Sequence, residues 1–143
     1  MSELEKLDKR NNINSDILIV EDNKYNRFVV ICFLKKMQLS YDIAKNGLEG
    51  VNMIIKKNYR LVLMDIHMPV MNGKDAIKEI IKKNHPPIIV MTANAYQFDK
   101  EICRKLGAIS FISKPLDYDK FQKNINKFII PKEIIEQKNI NVV

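Results

Sequence analysis

The sequence predicts an α/β chain: a parallel sheet covered by helices on both faces. Three observations predict it. Five short apolar runs alternate with five helical patterns along the chain. The runs lack the polar alternation of half-exposed strands, as expected where both faces are buried. The regular strand–helix order then selects right-handed crossovers within one sheet.

Composition narrows the class. The chain has 143 residues, 46% hydrophobic and 29% charged, the profile of one soluble globular domain with a sizeable core. Its longest uninterrupted apolar stretch, Phe28 to Leu34, is seven residues, whereas a membrane span needs about 20. The charged start, Met1-Ser2-Glu3-Leu4-Glu5-Lys6, has no apolar core of a signal peptide. The net charge of +7 raises the question of nucleic acid. However, the lysines come as scattered pairs (Lys35-Lys36, Lys56-Lys57, Lys82-Lys83) without interleaved aromatics, so they read as solvated helix faces. Cys32 and Cys103 lie in separate helical patterns with no CxxC or histidine partner, and are expected to be reduced core thiols. These features together place the chain in the cytoplasm, with no membrane and no direct nucleic-acid partner.

The elements follow in order. Residues 1–15 are polar and aperiodic, a flexible N-terminal lead-in. Asp16 to Val20 is a buried strand that ends in Glu21-Asp22-Asn23. Lys24 to Gln38 is a helix, since Val30, Phe33, Leu34 and Met37 recur at helical spacing. Ser40 to Ala44 is a short strand, and Asn46-Gly47 a turn. Leu48, Val51, Ile54 and Ile55 stripe the second helix, in which Gly50 is a weak point. Leu61 to Asp65 is the third strand. Met71-Asn72-Gly73 opens a helix with Ala76, Ile77, Ile80 and Ile81 inward, and Asn84-His85-Pro86-Pro87 stops it. Ile88 to Met91 is the fourth strand, ending in Thr92. Ala95 to Leu106 is a helix with a thin stripe (Phe98, Ile102, Leu106), closed by Gly107. Ala108 to Ser113 is the fifth strand, followed by Lys114-Pro115. Asp117 caps a last helix carrying Phe121, Ile125 and Phe128. The domain thus spans 16–130, with a C-terminal tail over 131–143.

In an open parallel sheet, function lies at the carboxyl ends of the strands. Strand one ends in Glu21 and Asp22, strand three in Asp65, strand four in Thr92 and strand five in Lys114. Asp65 alone reads equally as a cap for the following turn. Brought together, however, three carboxylates repel one another unless a cation intervenes. A hard divalent ion such as Mg²⁺ suits carboxylates plus phosphate oxygens. Lysine supplies a point charge and threonine a hydroxyl donor for an anion. A carboxylate is also a competent nucleophile towards phosphorus.

On these residues the sequence resembles the receiver domains of two-component response regulators, including the chemotaxis regulators. The resemblance runs from about Asp16 to Phe128. It is carried by Glu21-Asp22, by Leu63-Met64-Asp65-Ile66-His67-Met68-Pro69-Val70-Met71-Asn72-Gly73, by Met91-Thr92-Ala93-Asn94-Ala95, and by Phe111-Ile112-Ser113-Lys114-Pro115-Leu116. It implies a three-layer, doubly wound, flavodoxin-like (βα)5 fold with strand order 2-1-3-4-5. It implies that Asp65 is the phosphoacceptor, taking its group from the phosphohistidine of a histidine kinase or phosphotransfer protein. Glu21, Asp22, Asp65 and the His67 backbone carbonyl would hold Mg²⁺, with Glu21 acting through water. Lys114 would pair with the phosphoryl group, Thr92 would move to bind it, and Phe111 would turn inward as Thr92 moves. Lys114-Pro115 matches the family's cis peptide. The face of the fourth helix, fifth strand and fifth helix would meet a downstream effector or, on phosphorylation, a second copy in a homodimer.

Two positions depart from the common pattern. His67 stands where other residues are usual, and Asn94 lies two residues past Thr92; together they are expected to tune the lifetime of the acyl phosphate. Phe111 lacks the hydroxyl of tyrosine variants, so its movement would follow packing alone. Glu21 to Asn26 and Thr92 to Ala95 look like receivers of hybrid sensor kinases, whereas the short chain looks like a stand-alone regulator. An Asp-based phosphohydrolase is disfavoured, because His67 occupies the place of its second acid. A DNA-binding regulator would need a further domain, since the chain after Phe128 is too short for a helix-turn-helix. A phosphorylation-independent variant would not need the full residue set. The expected role is therefore a signalling module that catalyses only its own phosphoryl transfer and dephosphorylation.

Overall fold

The computed structural model describes residues 15–68, 70–93, 101 and 104–134. Five strands form one parallel sheet: β1 (Ile17–Val20), β2 (Tyr41–Ala44), β3 (Leu61–Asp65), β4 (Ile88–Thr92) and β5 (Ser110–Ser113). Their order is β2-β1-β3-β4-β5. The helices are α1 (Lys24–Lys36), α2 (Gly47–Lys56), α3 (Gly73–Ile80) and, at the end, α5 (Tyr118–Phe128). Between β4 and β5 the chain is helical at 101 and 104–106 (α4). The rest of the expected fourth helix, with Phe98, Ile102 and Cys103, lies outside the described residues, as do residues 1–14 of the lead-in and most of the tail, whereas Ser15 is buried and donates to Asp42 Oδ1.

The sheet divides the core in two, as a period of two requires. Leu18, Val20, Val62, Met64, Ile88 and Val90 face Val51 of α2 and Ala76, Ile77 and Ile80 of α3. Ile17, Ile19, Leu61, Leu63, Ile89 and Met91 face Val30 and Leu34 of α1 and Phe121 and Ile125 of α5. The fold is therefore the three-layer arrangement expected. Asn23, Asn46, Asn72 and Asp117 each cap the helix that follows, their side-chain oxygens accepting backbone N–H bonds.

Some faces differ from expectation. Cys32 is an exposed thiol, not a core one. Helix α1 packs the side that its periodicity predicts, with Val30 and Leu34 buried and Phe33 and Met37 against them, while Phe28, Val29 and Cys32 of the same apolar run turn outward. In α2, Val51 is buried but Leu48 and Ile55 remain 45% and 43% exposed, so its buried stripe is narrower than four residues. Ile81 sits beyond the end of α3 and is exposed. Gly50, the weak point of α2, has a packing reason: a Cβ there would lie 2.9 Å from Val20 Cγ2.

At the amino end of the sheet, a polar clamp ties three strands to the chain end. Asp16 Oδ2 accepts from the Ser40 N–H at 2.9 Å, and Asp16 Oδ1 from Arg60 at 3.0 Å. Arg60 Nε in turn donates to the Ile130 carbonyl at 2.8 Å. Burial alone would push the Asp16 carboxyl up, but the Ser40 and Arg60 bonds outweigh it and hold it below the usual carboxylate range. A lowered carboxyl stabilises the fold fully above its unfolded value of about 4, and loses that contribution as pH falls through the folded value. Asp16→Ala is therefore expected to cost about 2 kcal/mol at pH 7 in urea unfolding. The gap to wild type should close in acid; a gap that stays constant to pH 2 would overturn this account.

Candidate functional site

The site is built by register. Val20 lies beside Met64, so the next residues, Glu21 and Asp65, emerge side by side. On the other edge, Asp65 lies beside Met91 and Thr92 beside Ser113, one residue before Lys114. Alternation then sorts the side chains. Glu21, Asp65 and Lys114 continue the parity of Ile19, Leu63 and Ile112, on the α1–α5 side. Thr92 shares the parity of Ile88 and Val90, and Phe111 packs with that second layer.

The three acids converge. Glu21, Asp22 and Asp65 each offer a carboxylate oxygen, all within 4.8 Å of one another. Glu21 and Asp65 are buried and Asp22 is exposed. Such a set of hard oxygen donors, closely spaced and open to water at Asp22, fits a small divalent cation. Lys114 Nζ stands 2.9 Å from Glu21 Oε2 and 3.4 Å from Asp65 Oδ1, one ammonium shared by two buried carboxylates. Burial and the Glu21 charge push Asp65 up to about 6, an effect that Lys114 only partly offsets. The Lys114–Pro115 peptide is cis, as the sequence implied.

The loops are held close to these acids. The Asn23 N–H donates to Glu21 Oε1 at 3.2 Å and Asn26 Nδ2 to the same oxygen at 3.4 Å. Arg27 donates from one guanidinium nitrogen to the carbonyls of Glu21 and Asp22, at 3.0 and 2.9 Å. After β3, the Gly73 N–H bonds the Ile66 carbonyl at 2.7 Å. A Cβ on Gly73 would strike the Asp65 carbonyl and approach Ile66 Cα to 2.7 Å, so the start of α3 closes directly onto the end of β3. Among the described residues, no buried side-chain nitrogen or oxygen lacks a partner.

The structure thus brings Glu21, Asp22, Asp65 and Lys114 together. It places Thr92, almost fully buried, at the end of the adjoining strand. Phe111 is half-buried, with the Arg104 guanidinium carbon 5.4 Å from its ring centroid. His67 is exposed in the loop after β3. Asn94 lies outside the described residues. Sequence reasoning missed Asn26 and Arg27. Their only signal was position: polar residues in the first turn after an acidic strand end, where a helix can turn side chains back onto the loop.

A parallel 2-1-3-4-5 sheet with acids and a lysine at its carboxyl edge defines a chemotaxis-regulator-like receiver fold. The match to the response regulator receiver domain covers residues 17–126, and the chain belongs to that family. It is 32% identical over 150 residues to a probable histidine kinase 1 of Oryza sativa subsp. indica, covering 81% of this chain but 16% of that protein. The chain therefore spans about a sixth of that curated relative. Among solved structures it is similar to the receiver domain of a sensor histidine kinase of Pseudomonas aeruginosa, which has a magnesium ion in its active-site cleft. That likeness has 31% identity and a TM-score of 0.75, over 80% of this chain and 96% of the other. It is also similar to the receiver domain of Saccharomyces cerevisiae Ssk1, solved with the histidine phosphotransfer protein Ypd1: 31% identity, TM-score 0.74, 80% and 88% covered. No helix among the described residues is long and apolar enough to cross a membrane.

The raised Asp65 carboxyl has a consequence for stability. Between about pH 4, where the unfolded carboxyl ionises, and about pH 6, where the folded one does, the folded state holds the extra proton. Stability is therefore lost as pH rises through that window. Asp65→Asn is expected to melt higher than wild type in EDTA above pH 6, by about 2 kcal/mol, and equally at pH 4. Equal melting at every pH would show that Asp65 ionises without penalty.

Proposed function

We propose that this receiver accepts a phosphoryl group on Asp65 from the phosphohistidine of a histidine kinase or histidine phosphotransfer protein. One observation carries the reading: Asp65 lies with Glu21, Asp22 and Lys114 at the carboxyl edge of the sheet. Glu21, Asp22, Asp65 and the His67 carbonyl would hold Mg²⁺, which when bound would neutralise charge on the transferring oxygens. The Asp65 carboxylate attacks phosphorus, an O–P bond forms, and the N–P electron pair returns to the donor imidazole. Lys114 shifts its charge from Glu21 to the new phosphoryl oxygens.

The product carries roughly −1.5 to −2 charges at neutral pH, and Thr92 moves to bind it through its hydroxyl. Phe111, on the same side of the sheet as Thr92, then moves inward and changes the α4-β5-α5 face. An effector or a second copy of the chain reads that face. The domain is a signalling module of the cytoplasm, its catalysis limited to its own phosphorylation and dephosphorylation. Incubation with acetyl phosphate and Mg²⁺ should give a single phosphoryl adduct by intact mass, absent in Asp65→Asn. His67, exposed two residues after Asp65, sets the lifetime of the adduct with Asn94, so His67→Met should change the decay rate. A folded protein without adduct would overturn the assignment, and unchanged decay in both His67→Met and Asn94→Ala would remove the lifetime role.

The donor protein docks beside this opening. Tyr25 and Phe28 of α1 are 81% and 66% exposed, two aromatic side chains on the surface of the helix that follows Glu21 and Asp22. Next to them a cavity of about 180 Å³ is lined by Asn26, Val29, Val30, Lys114, Pro115 and Leu116. It is lined in part by the lysine that touches Asp65, and an apolar side chain from a helix of a phosphotransfer protein would fill it. Phe28→Ser should slow phosphotransfer from such a protein by about 10-fold while leaving acetyl phosphate labelling unchanged. Equal loss with both donors would argue against docking here.

A further inference from the structure

We infer that Arg27 is a positioning residue for the divalent cation, acting through the backbone of the β1–α1 loop. This rests on the cation reading of Glu21, Asp22 and Asp65. Arg27 lies one turn into α1, half-buried. Its Nη1 reaches back to the carbonyl oxygens of Glu21 and Asp22, at 3.0 and 2.9 Å. These are the peptide groups of two of the three converging acids. Both carbonyls precede the helix, so neither belongs to its ladder of hydrogen bonds. One guanidinium therefore fixes the orientation of two successive peptides, and with them the directions in which the two side chains leave the chain.

The form of the contact matters. Arg27 donates to carbonyls, and the Glu21 carboxylate takes its own bonds from Asn23, Asn26 and Lys114. Arg27 thus steadies the peptides of the acids without itself occupying a carboxylate oxygen. Asn23 completes the arrangement by capping α1, its Oδ1 accepting from the Tyr25 and Asn26 N–H groups. The first turn of α1 is rigid enough to serve as the anchor from which Arg27 reaches back. Groups that orient metal ligands in this way commonly change affinity by 10–100-fold when removed.

Electrostatics alone predicts the opposite sign. A guanidinium close to a cation site repels the cation, so deleting it should tighten binding. Positioning predicts weaker binding, because the freed loop no longer presents Glu21 and Asp22 towards Asp65.

The test is Mg²⁺ titration by calorimetry of wild type, Asp65→Asn, Arg27→Met and Arg27→Lys, with melting in EDTA to verify folding. Arg27→Met is expected to weaken Mg²⁺ binding by about 10-fold. Arg27→Lys, which keeps a donor and the charge, is expected to recover most of the affinity. Labelling by acetyl phosphate should follow the same split: a higher Mg²⁺ requirement in Arg27→Met, with the rate restored at saturating Mg²⁺. Unchanged or tighter binding in Arg27→Met overturns the proposal, as does a labelling rate that saturating Mg²⁺ fails to restore. If Arg27→Met does not melt cooperatively, the same comparison is read on Arg27→Gln. Failure of wild type itself to bind Mg²⁺, or binding undiminished in Asp65→Asn, would overturn the cation site and this inference with it; loss of the effect in the Arg27 variants alone overturns only the inference.

Discussion

Two carboxylates, Glu21 and Asp65, are held side by side out of water and share one ammonium, Lys114. Most of the site can be understood from that constraint. One lysine cannot fully satisfy two buried negative charges, and Asp65 is left with its carboxyl pushed up to about 6. The strain is electrostatic and is relieved by added positive charge or by converting Asp65 to something else. Buried unpaired charge is ordinarily selected against. Here the surrounding donors, Asn23, Asn26 and Lys114, support Glu21 and leave Asp65 the less satisfied of the pair.

The sheet delivers these groups to one edge and also keeps them apart from Thr92 and Phe111. Strand alternation puts the acids and Lys114 on the α1–α5 side, with Thr92 and Phe111 on the other. The two sets are thereby separated by the thickness of one sheet, yet joined through two adjacent strand ends. The Lys114 N–H donates to the Thr92 carbonyl at 2.8 Å, a direct backbone link between the two halves. The amino end of the sheet is closed by a different device, the Asp16–Ser40–Arg60 clamp that also holds the Ile130 carbonyl. Its carboxylate is well satisfied and lies below the usual range. One end of the sheet is therefore tied shut by paired charges, while the other is left open and under-compensated.

Much of this was legible in the residues themselves. Apolar runs such as Leu61 to Met64, short and bounded by turn residues, read as strands buried on both faces, and the polar residues that end them fall at one edge by topology. Asp117 was legible as a cap because its side chain competes for backbone N–H groups. What stayed hidden has a common cause: one-dimensional periodicity gives relative faces, not absolute ones. In α1 the spacing of Val30, Phe33, Leu34 and Met37 marked the packed face, but Cys32, inside the same apolar run of Phe28 to Leu34, lies outside that stripe and is exposed rather than a core thiol. Gly50 looked like a weakness of α2 until Val20 was seen against it.

The sequence by itself determined the fold class, the strand ends and the identity of the acids, hydroxyl and lysine, because alternation and burial are properties of local pattern. The tertiary structure alone decided who pairs with whom. Lys114 lies 93 positions from Glu21 and bonds it more closely than Asp65. Arg27 turns back on the two carbonyls that precede its own helix, and Gly73 is required because α3 begins against the Asp65 backbone. Such pairings depend on register and on the angle at which each helix leaves the sheet, which no periodicity in the chain encodes.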